Sequence, residues 1–88
     1  MHFTYVLLSL KDKNFFTGYS NNLPKRVKEH KLGRVFSTKN RLPVILVYYE
    51  VCNNKADAIA REKYLKSGMG KRYIKNRLKN YLKISNGV

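Results

Sequence analysis

Arg26 and His30 stand one helical turn apart in a basic segment. The segment follows the β-like run Phe16-Thr17-Gly18-Tyr19 and a short loop of Ser and Asn. On a helix that spacing puts both side chains on one face. An arginine can fork onto the oxygens of a phosphate, and an imidazole exchanges protons near neutral pH. Together, beside a glycine at a strand exit, they suit phosphate chemistry. The plainer reading is a solvated basic helix that carries a surface histidine. The stretch alone leaves both open.

Those residues need elements to hold them. Residues 2–9 are rich in β-formers and read as a strand with both faces partly buried. Lys11-Asp12-Lys13-Asn14 is a turn, and Phe15 to Tyr19 returns as the second strand of a hairpin. Gly18 interrupts that strand, where a glycine signals a bulge or a close backbone approach. A helix is predicted over about residues 23–31, with Asn22 as N-cap, Pro24 in the first turn and Gly33 as its stop. Residues 34–43 form a polar, basic connection, and Val44 to Val51 is the clearest strand, expected at the centre of the sheet. Asn54 caps a second helix through about Ser67, with Asp57 complementing its dipole and Ala58, Glu62 and Leu65 forming a stripe. Ser67-Gly68-Met69-Gly70 reads as a break. A third helix over about 71–83 aligns Ile74, Leu78, Tyr81 and Leu82, and residues 85–88 are expected to fray. The order β-β-α-β-α-α predicts an α/β (α+β) fold, a small three-stranded, mainly antiparallel sheet flanked by about three helices.

Composition narrows the function. The 88 residues suit a single domain, with a core over about residues 3–82. Nineteen Lys and Arg against five Asp and Glu leave a formal charge of +14. Self-repulsion of that size calls for a polyanionic partner. The positive residues lie within the expected helices and loops, and neither basic helix has a broad apolar face, so nucleic acid is favoured over a membrane surface. No apolar run approaches the roughly 18 residues that span a bilayer, which predicts a soluble, cytoplasmic protein. Cys52 is the only cysteine, so no internal disulfide and no cysteine-type zinc site can form; at the end of an apolar run it reads as a small buried hydrophobe.

Phe3-Thr4-Tyr5 followed by Phe16-Thr17-Gly18 resembles the paired tripeptides that name the GIY-YIG nuclease family. Arg26, His30 and the glutamate of Arg61-Glu62-Lys63 fall where that family carries an arginine, a histidine and a glutamate. Ser37-Thr38-Lys39, Tyr48-Tyr49-Glu50 and the run from Arg61 to Gly68 are similar to its small stand-alone bacterial members, and the resemblance covers about residues 3–80. It implies hydrolysis of DNA phosphodiester bonds with one divalent ion. In that scheme Glu62 is the metal ligand for Mg²⁺ or Mn²⁺. Tyr5 positions or deprotonates the attacking water, His30 assists the proton transfer and Arg26 stabilises the phosphate. Asn76 falls near the family's late active-site asparagine.

One departure bears on activity. The second motif usually begins with tyrosine, and here Phe16 keeps the ring and loses the hydroxyl. Two readings follow: a metal-dependent DNA endonuclease, or a weak or inactive GIY-YIG fold that binds nucleic acid. A small basic RNA-associated protein is a more distant third. Without the resemblance, Tyr5 would be a half-buried strand aromatic and Glu62 a surface partner for Lys66. Glu62 still stands out as one of only five acids; the others have simpler explanations, Asp12 in a turn, Asp57 in a first helical turn, Glu29 beside basic neighbours and Glu50 at a strand end. Lys25, Lys39, Arg41, Lys71 and Arg72 are candidate contacts to the DNA backbone. Cutting both strands of a duplex with so small a unit calls for a homodimer or two visits.

Overall fold

The computed structural model describes residues 1–85; of the fraying expected over residues 85–88, all but Ser85, which is helical, lies outside the described residues. β1 (His2–Ser9) is the strand on which the rest is laid. It pairs antiparallel with β2 (Phe15–Ser20) on one side and with β3 (Val44–Cys52) on the other, giving the order β2-β1-β3. The sheet is wholly antiparallel. β3, expected at the centre, is an edge strand. Its longer apolar run was misleading, because a central strand is marked by burial of both its faces, and Thr4 through Ser9 of β1 are buried without interruption.

Side-chain alternation splits the core between the two faces of the sheet. Tyr5 and Leu7 face α1 (Leu23–Lys31) and join Leu23 and Val44. Val6 faces the opposite way, toward Leu65 of α2 (Lys55–Lys66) and Ile74 of α3 (Gly68–Arg77). Burying each such aliphatic side chain contributes about 1.5–3 kcal/mol. A register shift between Val6 and Leu7 gives β3 an extra residue, so the bulge lies in β3 and not at Gly18.

Local chemistry sets the helix ends. The Asn22 side chain accepts from the Lys25 amide, and the Asn54 side chain accepts from those of Ala56 and Asp57. α1 ends at Leu32 and Gly33, the latter at φ +74°. The expected break spanning Ser67 to Gly70 is confined to Ser67, which ends α2 and caps α3 through the Gly70 amide. Gly70 belongs to the first turn of α3, where a β-carbon would strike the backbone of Tyr64 and Leu65. Leu78 divides the expected third helix into α3 and α4 (Lys79–Ser85), so the order is β-β-α-β-α-α-α. Tyr81, placed on the buried face by spacing, is exposed, while Ile74 is buried. Cys52 is only half-buried, as its edge position dictates.

Candidate active site

Tyr5 on the central strand pairs with Gly18 of β2. Its phenol occupies the space a side chain at position 18 would need: a β-carbon there would lie 2.6 Å from the hydroxyl oxygen. The glycine is a close-approach residue. α1 crosses the same face and brings His30, whose Nε2 is 2.7 Å from the Tyr5 hydroxyl. On the far side of the imidazole, Nδ1 is 2.7 Å from Thr38 Oγ1 in the connection after α1. Tyr5 is 1% exposed and His30 and Thr38 are 0% exposed, so a continuous chain of polar atoms runs through the interior. Phe16 flanks it, with ring centroids 5.1 Å from His30 and 6.3 Å from Tyr5.

Electrostatics tie three more residues to the phenol. Burial pushes the Tyr5 pKa up; Arg26 opposes that shift, and Glu62 and Glu29 add to it. Burial, with Arg26 adding to it, pushes His30 down to about 4, so the ring is neutral at physiological pH. Arg26 Nη1 donates to Glu29 Oε1 at 3.2 Å, and both residues line a polar cleft with Ser20, Asn21, Asn22 and Lys25. Glu62 accepts from Lys66 Nζ at 2.8 Å, and its side chain is 20% exposed.

Two anchors fix how α2 sits against the sheet. Thr4 Oγ1 donates to the Ala58 carbonyl at 2.6 Å. Arg61 makes a two-point ion pair with Glu50 of β3 at 2.6 and 2.8 Å, and the Tyr48 hydroxyl donates to Glu50 at 2.9 Å. The Arg61 guanidinium also lies over the rings of Tyr64 and Tyr73, 5.0 and 5.6 Å from their centroids. Glu50 therefore anchors α2 and does more than end a strand. The Glu62–Lys66 pair expected from spacing is present, and the Glu62 charge also helps to raise the Tyr5 pKa.

Residues 1–79 match the GIY-YIG catalytic domain. The chain belongs to the GIY-YIG family. UPF0213 protein CPE1444 of Clostridium perfringens is 45% identical over 67 residues, which cover 75% of this chain and 71% of that one. UPF0213 protein SH2523 of Staphylococcus haemolyticus is 37% identical over 67 residues, covering 75% and 80%. The solution NMR structure of the UPF0213 protein BH0048 from Bacillus halodurans is also similar. It has a TM-score of 0.52 at 30% identity, covering 83% of this chain and 80% of that one.

The GIY-YIG tripeptides acquire a physical meaning in this fold. They lie on adjacent antiparallel strands, and the last residue of the first, Tyr5, rests on the last residue of the second, Gly18. Tyr5 and His30 meet directly, and the charges of Arg26 and Glu62 act on the same phenol, although the four are scattered along the sequence. The other sequence-marked residues have different surroundings. Lys25 lines the cleft beside Arg26, and Lys39 Nζ lies 4.8 Å over the Phe36 ring. Arg41 donates to both Asp12 oxygens, at 2.7 and 3.3 Å, and to the carbonyls of Asn14 and Phe15. Its donors tie the hairpin turn to the connection. Lys71 lines a groove with Lys13 and Lys75, while Arg72 and Asn76 line another on α3 with Met69 and Tyr73. Sequence reasoning assigned no role to Thr38. Its place in Ser37-Thr38-Lys39 was the only signal, since an uncharged residue in a basic loop does not reveal that it reaches inward.

Proposed function

We propose that this GIY-YIG chain is a metal-dependent DNA endonuclease that uses Tyr5, Arg26, His30 and Glu62 to hydrolyse phosphodiester bonds. The observation that carries the reading is the chain of 2.7 Å contacts from Tyr5 through His30 to Thr38, with Arg26 and Glu62 both acting on the phenol. When the His30 proton is on Nδ1, directed at Thr38, Nε2 accepts the Tyr5 hydroxyl proton. In this scheme the remaining lone pair of the Tyr5 oxygen would take a proton from the attacking water as its own passes to Nε2. The neutral state of His30, with its pKa near 4, supports this acceptor role. Arg26 forks onto the non-bridging phosphate oxygens and offsets the charge that develops there.

Glu62 is the residue that would hold Mg²⁺ or Mn²⁺. Its hard carboxylate oxygens are accessible and already accept a cation, Lys66, at 2.8 Å. It belongs to no cluster of three or more His, Cys, Asp or Glu side chains among the described residues. That donor set fits Mg²⁺, which commonly rests on one or two carboxylates and takes its other oxygens from water and substrate phosphate. When bound, the ion supplies positive charge to the scissile phosphate and the leaving 3′ oxygen. Lys25, Lys39, Lys71 and Arg72 would follow the backbone without reading bases.

The test is cleavage of labelled single-stranded, duplex, flapped and branched DNA with Mg²⁺ or Mn²⁺. Glu62→Ala and Arg26→Ala, checked for folding by circular dichroism, are expected to lose about a hundred-fold or more in rate. Cuts that persist in both variants, or no cuts by the parent on any substrate, would falsify the reading. One observation favours a second reading, a nucleic-acid-binding module: Phe16 packs against Tyr5 and His30 without a hydroxyl. If the parent binds DNA and cuts none, cleavage by Phe16→Tyr would trace the difference to that oxygen.

A further inference from the structure

The connection between α1 and β3 carries a side chain that the proposed reaction does not use. Phe36 is 84% exposed, more than any other large apolar residue among those described. It is nevertheless held in place. Its neighbours Val35 and Thr38 are 7% and 0% exposed, and the amides of Thr38 and Lys39 both donate to the Val35 carbonyl, at 3.1 and 2.9 Å. A tight, anchored turn thus presents the ring outward. Lys39 Nζ lies 4.8 Å from the ring centroid, and Arg34 is exposed on the same turn.

Lys39 lies over one face of the ring and the rest of it meets water, which is hydrophobically unfavourable, so this geometry points to an occupant for the open face. A flat ring beside an ammonium matches a partner with a π-face next to an anion, which describes an unpaired nucleobase and its phosphate. The formal charge of +14 favours such a polyanion over an apolar protein surface. The location agrees. Thr38, two residues from Phe36, is the inner end of the Tyr5–His30–Thr38 chain. We propose that Phe36 is a stacking platform for an unpaired base of a single-stranded or flapped nucleic acid, with Lys39 on the adjoining phosphate. This deepens the nuclease reading and rests on nucleic acid being its substrate. Bases inside an intact duplex already stack on one another, so blunt duplex would gain nothing from the ring.

Binding is measured by fluorescence anisotropy with labelled oligothymidine and with a blunt duplex of equal length. A chelator is present, so cleavage plays no part. Phe36→Ala should bind oligothymidine roughly ten-fold more weakly, the scale of one base–aromatic stack, and leave duplex affinity within about two-fold. Phe36→Leu should restore little, because it replaces apolar area without a π-face. Phe36→Trp should bind like the parent, and because the chain has no native tryptophan, quenching of its emission by oligothymidine reports the stack directly. The platform is overturned by unchanged oligothymidine binding in Phe36→Ala, by equal losses on both DNAs, or by full recovery in Phe36→Leu, which would show that apolar area and not a π-face is what the DNA meets. The two proposals fail separately. Selective loss in Phe36→Ala with no cleavage by the parent keeps the platform and rejects the nuclease, and cleavage without selective loss does the reverse.

Discussion

A phenol in contact with a buried, neutral imidazole can receive a proton only as fast as it hands its own onward, so the three polar residues should act as one device. Tyr5→Phe removes the oxygen that water would meet and is expected to slow cleavage by about 10²–10⁴-fold. It also leaves His30 Nε2 without its partner, at about 1–3 kcal/mol of stability. Thr38→Val keeps the shape and releases the tautomer, so kcat should fall with KM little changed. The pH dependence of folding tests the same histidine without any substrate. An unfolded histidine titrates near 6.5 and His30 in the fold near 4, so between those values the unfolded chain binds more protons. Stability from this group is therefore complete above about pH 6.5 and falls as pH drops toward 4. Asp12, held near 2 mainly by Arg41, contributes only to a separate loss below about 3.8. Denaturant midpoints measured from pH 7.5 to 4.5 should decline in the parent and flatten in His30→Gln.

At the scale of elements, the site depends on two constraints that are not themselves chemical. Gly18 keeps β2 clear of the Tyr5 ring, and Gly18→Ala would force one of them to move, costing about 1–3 kcal/mol and most of the cleavage activity. The Glu50–Arg61 pair sets the rotation of α2. Glu50→Gln weakens that two-point contact, by about 1–3 kcal/mol. It should also raise the Mg²⁺ concentration needed for half-maximal cleavage, because Glu62 is one residue from the anchor. Much at this scale was legible in the sequence. Asn22 and Asn54 are caps because a short side-chain oxygen reaches amides only two or three residues away. The strand order was not legible, since it depends on which strand is covered on both faces, and β3 runs as apolar as β1 while pairing on one side only.

For the whole molecule, the governing quantity is charge. A domain carrying +14 should bind DNA with an affinity that falls linearly on a log–log plot against salt, with slope near −0.9 per neutralised phosphate on duplex. Lys25→Ala and Lys71→Ala should each lower that slope by about one phosphate contact. Arg41→Ala should leave the slope unchanged and lower the thermal midpoint, since its guanidinium already ties Asp12 and two carbonyls together. Anisotropy over a salt series and a melting curve separate the two cases. No helix among the described residues is long and apolar enough to cross a membrane.

By itself the sequence determined the element types, most of their boundaries, the basic surface and the paired tripeptides with Arg26, His30 and Glu62, because propensity, capping, charge and motif spacing are local properties of the chain. Only the tertiary structure decided that Tyr5 lies on Gly18, that Thr38 ends the polar chain behind His30, that Arg41 is held by the protein's own oxygens and that Phe36 faces outward. Each of these depends on which distant segments meet when the sheet and its covering helices close, and spacing along a chain does not record where its side chains point.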